Sequence, residues 1–97
     1  MPIASPRYAF NATMVSGAPP DQGVFALWEG DELIYYGRAH SIHSRLEAHL
    51  KGAETCTARA THYGWEISSN PAVREAELLR EYRRAHGRLP RCNDKAA

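Results

Sequence analysis

Long apolar runs are missing from this chain, and so is any cluster of cysteines. No apolar stretch approaches the ~20 residues that a membrane span requires, so no membrane role is expected. The first residues hold no charged segment followed by a long apolar one, so no secretory leader is expected either. Cys56 and Cys92 stand alone, without zinc-ligand spacing and too few for a disulfide framework. They are expected to be free thiols in a reducing cytosol, which implies a cytoplasmic protein. Repeats and low-complexity segments are also lacking, and nothing calls for a small-molecule cofactor. What remains is 97 residues, enough for one domain with one modest core.

Excess charge of one sign is lacking too, since the net charge is +1. Its distribution is uneven. Residues 1–37 carry one arginine against four acids, whereas residues 38–97 carry eleven Lys/Arg against seven acids. Counting His86, seven basic residues lie between Arg74 and Arg91. Such asymmetry is the footprint of a polyanion binder, although a solvated helix face has the same composition.

The stretch Leu33 to Leu50 concentrates the chemistry. Leu33-Ile34-Tyr35-Tyr36 reads as a short strand that Gly37 ends. Ser41 reads as the N-cap of a helix to Leu50, with Ile42, Leu46 and Leu50 as its apolar stripe. Arg45 and His49, four apart, form a polar ridge beside that stripe. With Tyr35 and Arg38 they gather a phenol, two guanidinium groups and an imidazole, a set suited to a phosphodiester.

In chain order, residues 1–22 are rich in proline and read as an irregular lead-in. Tyr8, Phe10, Met14 and Val15 are available to pin it to the core. Gly23 to Trp28 is a strand, joined through a turn at residues 29–32 to the strand at Leu33. Alternation sets Phe25 and Leu27 on one face, with Val24, Ala26 and Trp28 on the other. Leu33 and Tyr35 share a face in the second strand, opposed by Ile34 and Tyr36. Residues 51–60 read as a loop, and Thr61 to Ile67 as a third strand with Tyr63 and Trp65 on one face. Asn70 and Pro71 start a second helix that Gly87 stops, its buried side being Val73, Ala76, Leu78, Leu79, Tyr82 and Ala85. An extended segment follows, and residues 94–97 fray. The order β-β-α-β-α describes a small α+β domain over residues 23–93.

Glu77 and Glu81 lie four apart on the second helix, where like charges repel. Either Arg74, Arg80 and Arg84 neutralise them, or one carboxylate holds a hard divalent cation.

These residues carry a resemblance. Gly23-Val24-Phe25 and Tyr35-Tyr36-Gly37, about ten residues apart, followed by Arg38, Arg45 and His49, and later by Glu81, Pro90 and Asn93, resemble the GIY-YIG nucleases. The resemblance spans residues 23–93 and implies a three-stranded antiparallel sheet flanked by helices. It implies hydrolysis of DNA phosphodiesters with one divalent ion, Mg²⁺ or Mn²⁺. The spacing to Asn93 singles out Glu81 over Glu75 and Glu77 as the metal carboxylate. Arg45 would donate to the phosphate as negative charge builds. Tyr35 would position or deprotonate water, its phenol acidified by Arg38. Asn93 would lock the site, and His49 would contact phosphate or shuttle a proton. Arg38, Arg45, His49 and Arg84 are the expected DNA contacts. The reading requires Arg45 and Glu81 to converge beside Tyr35.

Phe25 departs from the pattern, because the family usually has a tyrosine there. Tyr35 alone, His40, His62 or Tyr63 would have to supply the missing proton chemistry, or catalysis is weakened. Structural alternatives stand beside each choice. Tyr35 suits a core aromatic, Arg45 and His49 suit an exposed helix face, and His40 with His43 are too few for zinc. A DNA endonuclease, a non-catalytic nucleic-acid-binding module and a protein-interaction domain are the three functions compatible with the sequence. No appended recognition domain is visible, so sequence-specific cutting by this chain alone is not expected.

Overall fold

A two-residue hairpin organises the molecule. Strands β2 (Gly23–Glu29) and β3 (Glu32–Ala39) pair antiparallel around Gly30-Asp31, with Gly30 at φ 61° where a side chain would be strained. The computed structural model describes residues 1–93; the expected fraying of 94–97 lies outside them. Strand β4 (His62–Ile67) pairs antiparallel with the other side of β2. A short strand β1 (Tyr8–Ala9) pairs in turn with β4, giving the order β1-β4-β2-β3.

Among the described residues the sheet therefore has four strands rather than the expected three. The lead-in is also less irregular than its prolines imply. Asn11 caps a single-turn helix α1 (Ala12–Val15), accepting from the Met14 N–H. Tyr63 donates its hydroxyl to the Met14 carbonyl at 2.6 Å, and Tyr8 and Phe10 pack on the Tyr63 ring. These aromatics bury enough surface to hold residues 8–15 on the sheet.

Helices cover both faces. Helix α2 (Ile42–Leu50) sets Ile42 and Leu46 against Phe25, Leu27, Tyr35 and Tyr63. Ser41 caps it as expected, accepting from the Ser44 N–H, and the carbonyls of Pro19 and Asp21 take two further N–H groups of its first turn. Helix α3 (Pro71–His86) covers the other face, with Leu78 among Val24, Ala26, Trp28 and Tyr36. Gly87, at φ 76°, ends α3 in the left-handed conformation. Asn70 occupies the N-cap position without making a side-chain capping bond.

Several local expectations are corrected. Gly37 does not end its strand; β3 continues through it to Ala39. A side chain there would be driven into the Phe25 ring, whose Cζ lies 2.5 Å from the position a Cβ would take. Pairing shifts between Leu27 and Trp28, opposite Tyr35 and Leu33, so Ile34 is an extra residue. That bulge puts Ile34 and Tyr35 on the same side, in the core under α2. The buried side of α3 is narrower than its composition implies. Val73, Ala76 and Ala85 are exposed, and the contact ridge is Leu78, Leu79 and Tyr82.

The two cysteines are not free. Cys56 and Cys92 form a disulfide across a Cα separation of 5.7 Å. The residues around it pack within the α2-side core, where folding brings together two positions 36 residues apart. The bond removes the ground for expecting a reducing cytosol. Among the described residues no helix is long and apolar enough to cross a membrane.

Candidate active site

The charged side chains meet where β3 ends, between the N-termini of α2 and α3. Arg38, His40 and Arg45 line a cavity of about 370 Å³ there, together with Gln22, Asn70 and Pro71. Alternation along β3 points Arg38 to the α3 side, away from Tyr35. Its guanidinium stands 3.9 Å from Glu75 of α3. Burial raises the Glu75 carboxyl above its ordinary value of 4.5, and Arg38 partly opposes that rise. The α3 N-terminus, at Asn70, Pro71 and Ala72, completes the cavity wall and turns the positive end of the helix dipole toward the two arginines. Nearby, Arg74 is held by Glu66 at 2.7 Å and 3.1 Å, so that guanidinium is committed within the fold.

Arg38 and Arg45 line one cavity, and Glu75 stands beside Arg38 without itself lining it. Glu81 lies elsewhere. It is exposed, pairs with the amino group of Met1, and lines a separate cavity with Arg74, Glu77, Arg80 and Arg84. Arg45 and Glu81 therefore do not converge beside Tyr35. The reason is the ridge geometry of α3. Glu75 shares a side of α3 with Leu79 and Tyr82, which pack against the sheet, whereas Glu81 shares a side with Arg74, Glu77 and Arg84, which line the other cavity. The spacing of Glu75 to Leu79 and Tyr82 is the sequence signal that places it on that side, a signal that counting back from Asn93 does not use.

Tyr35 and His49 are core residues. Tyr35 is 9% exposed and His49 is fully buried. Their rings lie 5.2 Å apart, and each lies within 6 Å of the Phe25 ring. His49 Nδ1 is 2.7 Å from the Thr57 hydroxyl. Thr57 opens a short 3-10 turn, Thr57–Arg59, in the segment expected to be a loop. His49 thus does not share an exposed ridge with Arg45, because this turn closes over the end of α2. Phe25 is likewise fully buried.

Among the alternatives to Phe25 for proton chemistry, His40 alone lines the cavity. His62 is hydrogen-bonded at Nδ1 to its neighbour Thr61, and Tyr63 is tied to Met14. His43 is bonded at Nδ1 to the Val15 carbonyl. Among the described residues no group of three or more His, Cys, Asp or Glu could hold a metal ion, so no zinc cage forms around His40 and His43.

Asn93 acts on the backbone of β3. Its Oδ1 accepts from the Tyr36 N–H and its Nδ2 donates to the Tyr36 carbonyl, both at 2.9 Å. Beside it, the Cys92 N–H donates to the Ile34 carbonyl. The segment thereby closes the outer edge of β3, which would otherwise be open for pairing. Arg91 reaches Glu29 and Glu32 on either side of the hairpin turn.

No protein-family model and no curated protein sequence matches the chain. Solved structures do. The GIY-YIG N-terminal endonuclease domain of UvrC from Thermotoga maritima superposes with a TM-score of 0.68 at 21% identity, over 86% of this chain and 93% of that one. This chain has the GIY-YIG fold. The same UvrC domain bound to magnesium, its catalytic divalent cation, superposes at 0.63 with 22% identity, over 73% of this chain and 88% of that one. Versions of that GIY-YIG domain with a single tyrosine-to-phenylalanine change are also bound to the cation.

Proposed function

We propose that this chain is a divalent-metal-dependent DNA endonuclease that cuts at the cavity between β3, α2 and α3. One observation carries the proposal. Arg38, His40 and Arg45 face a single cavity beside Glu75, a carboxylate held at the sheet-facing side of α3.

The donor set fits a small hard cation. Magnesium takes one or two carboxylates and keeps several waters, so Glu75 alone is a sufficient protein ligand. When bound, the cation would polarise the phosphate and neutralise the leaving oxygen. Arg45 presents a planar fork of donors to the non-bridging oxygens, where charge increases in the transition state. Arg38 partly offsets the penalty that burial places on the ionised Glu75 carboxylate and adds a second positive charge beside the phosphate. His40 accepts the proton of the attacking water, the role left open by Phe25. Tyr35, His49 and Asn93 act indirectly, fixing the course of β3, which carries Arg38 and ends just before His40. That the neighbouring UvrC domain holds its cation despite losing a tyrosine hydroxyl supports metal binding in a chain with Phe25. DNA repair, recombination or mobile-element processing is the setting such cutting would serve.

Supercoiled and branched DNA with Mg²⁺ or Mn²⁺ provides the test. Wild type is expected to cut, while Arg45→Ala and Glu75→Ala should each lose at least about a hundred-fold in rate, as expected when transition-state charge stabilisation is removed. Undiminished cutting by both variants would reject this site. Metal-independent, salt-sensitive DNA binding without cutting would instead support the non-catalytic reading that Phe25 motivates.

A further inference from the structure

The site above leaves unused a groove of about 470 Å³ at the other end of α3. It lies between the N-terminal segment and the last turns of the helix, and Ile3, Arg7, Trp28, Tyr36, Tyr82 and His86 line it. Two flat basic groups sit at its surface, each laid on an aromatic ring. The Arg7 guanidinium lies 4.7 Å above the Trp28 ring. His86 is stacked on Tyr82, with centroids 4.1 Å apart and planes 28° apart. Trp28 and Tyr36 are buried and form the floor, whereas His86 and the Arg7 side chain are open to solvent. Asp31, also in the lining, is fully exposed and stands 3.8 Å from Arg7.

We propose that this groove is a subsite for an unpaired nucleobase of the DNA strand that enters the cavity. The proposal rests on the nuclease reading given above. Flat π-faces with a guanidinium nearby hold single-stranded bases by stacking, largely irrespective of sequence. The volume lies in the range of ordinary ligand sites. Charge favours a nucleotide over a neutral ring, because Arg80, Arg83, Arg84 and Arg88 are exposed on or just beyond the same helix and can meet flanking phosphates. The position is also apt. Glu75, Leu79, Tyr82 and His86 recur every three or four residues along one side of α3, so the ridge joins the cavity to the groove. At 1.5 Å per residue, Glu75 and Tyr82 are about 10 Å apart along the helix axis. A strand following that ridge would leave one base at the groove while a phosphate occupies the cavity. Selectivity for frayed, flapped or single-stranded DNA follows.

Fluorescence anisotropy with a labelled oligo(dT) 12-mer, in EDTA so that no cutting occurs, tests the groove without the cavity's chemistry. An abasic 12-mer with the same phosphates is the comparison. Wild type should hold oligo(dT) about five- to a hundred-fold more tightly than the abasic strand. His86→Ala, in the exposed last turn, and Arg7→Lys, which keeps the charge but loses the plane, should each reduce that ratio toward one. Equal affinity for both strands, or a ratio unchanged in both variants, would overturn the proposal. So would displacement of nothing but an acidic hexaglutamate peptide, which would assign the groove to a protein partner. Plasmid cutting with Mg²⁺ is measured separately. Cutting without base preference contradicts the groove alone, and base preference without cutting contradicts the nuclease reading alone.

Discussion

Two carboxylates on α3 illustrate how much one residue's position decides. Glu75 and Glu81 look equivalent in the sequence, and distance from Asn93 favours Glu81. That count assumes a fixed path between helix and tail, whereas the side of the helix on which a carboxylate falls follows from its spacing to Leu79 and Tyr82. Of the residues picked from the motif, Arg38 and Arg45 share a cavity. The burial of His49 was not legible, because it depends on a turn at Thr57 that has no strong local signal. Glu75→Gln should abolish metal-dependent cutting without lowering stability. The sign follows from its raised pKa. Above 4.5 the unfolded chain releases this proton more readily than the folded one, so the Glu75 contribution to stability falls as pH rises through the folded-state value. Melting curves across that window should show Glu75→Gln gaining on wild type with rising pH. Cation affinity should climb over the same window, since the ligand is the ionised form. Packing makes a second residue-scale prediction. Gly37→Ala would push a methyl group against Phe25 and should cost about 1–3 kcal/mol in urea unfolding. Much of that loss should be absent in a Phe25→Leu background; an equal cost there would contradict the contact.

At the scale of elements, the strands and helices were legible from alternation, caps and glycines. Their additions were not. Strand β1 and helix α1 depend on partners far along the chain, Tyr63 above all, and two residues are too short a strand for any periodicity. The disulfide likewise joins positions that only the fold brings together. The segment it ties down is the one that closes the edge of β3. Asn93→Ala should therefore speed hydrogen exchange at the Tyr36 amide, whose acceptor it removes, and lose about 1–2 kcal/mol of stability. An unchanged Tyr36 exchange rate would show that the edge is held by other means. Opening the Cys56–Cys92 bond frees a loop spanning a sequence separation of 36, which chain entropy values at about 3–4 kcal/mol. Chemical denaturation with and without a phosphine reductant should show a loss of that order. Equal midpoints would mean the bond contributes nothing to the folded state.

Across the whole molecule, the charge asymmetry seen in the sequence has a structural form. The acidic N-terminal third supplies β2 and the hairpin turn, where Glu29 and Glu32 hold Arg91. The basic remainder supplies the cavity arginines and the outer side of α3. DNA affinity should accordingly fall steeply with added salt. The fold itself, shared with a cation-bound endonuclease domain at 21–22% identity, shows how few residues that architecture fixes. The central claim is that a cation binds at Glu75 beside Arg38 and Arg45. Paramagnetic broadening of amide signals by Mn²⁺ reads this directly. The account predicts broadening around Arg38, His40, Arg45 and Ala72 that disappears in Glu75→Gln and persists in Glu81→Gln. Broadening centred on Arg80, Glu81 and Arg84, or unaltered in Glu75→Gln, would contradict it.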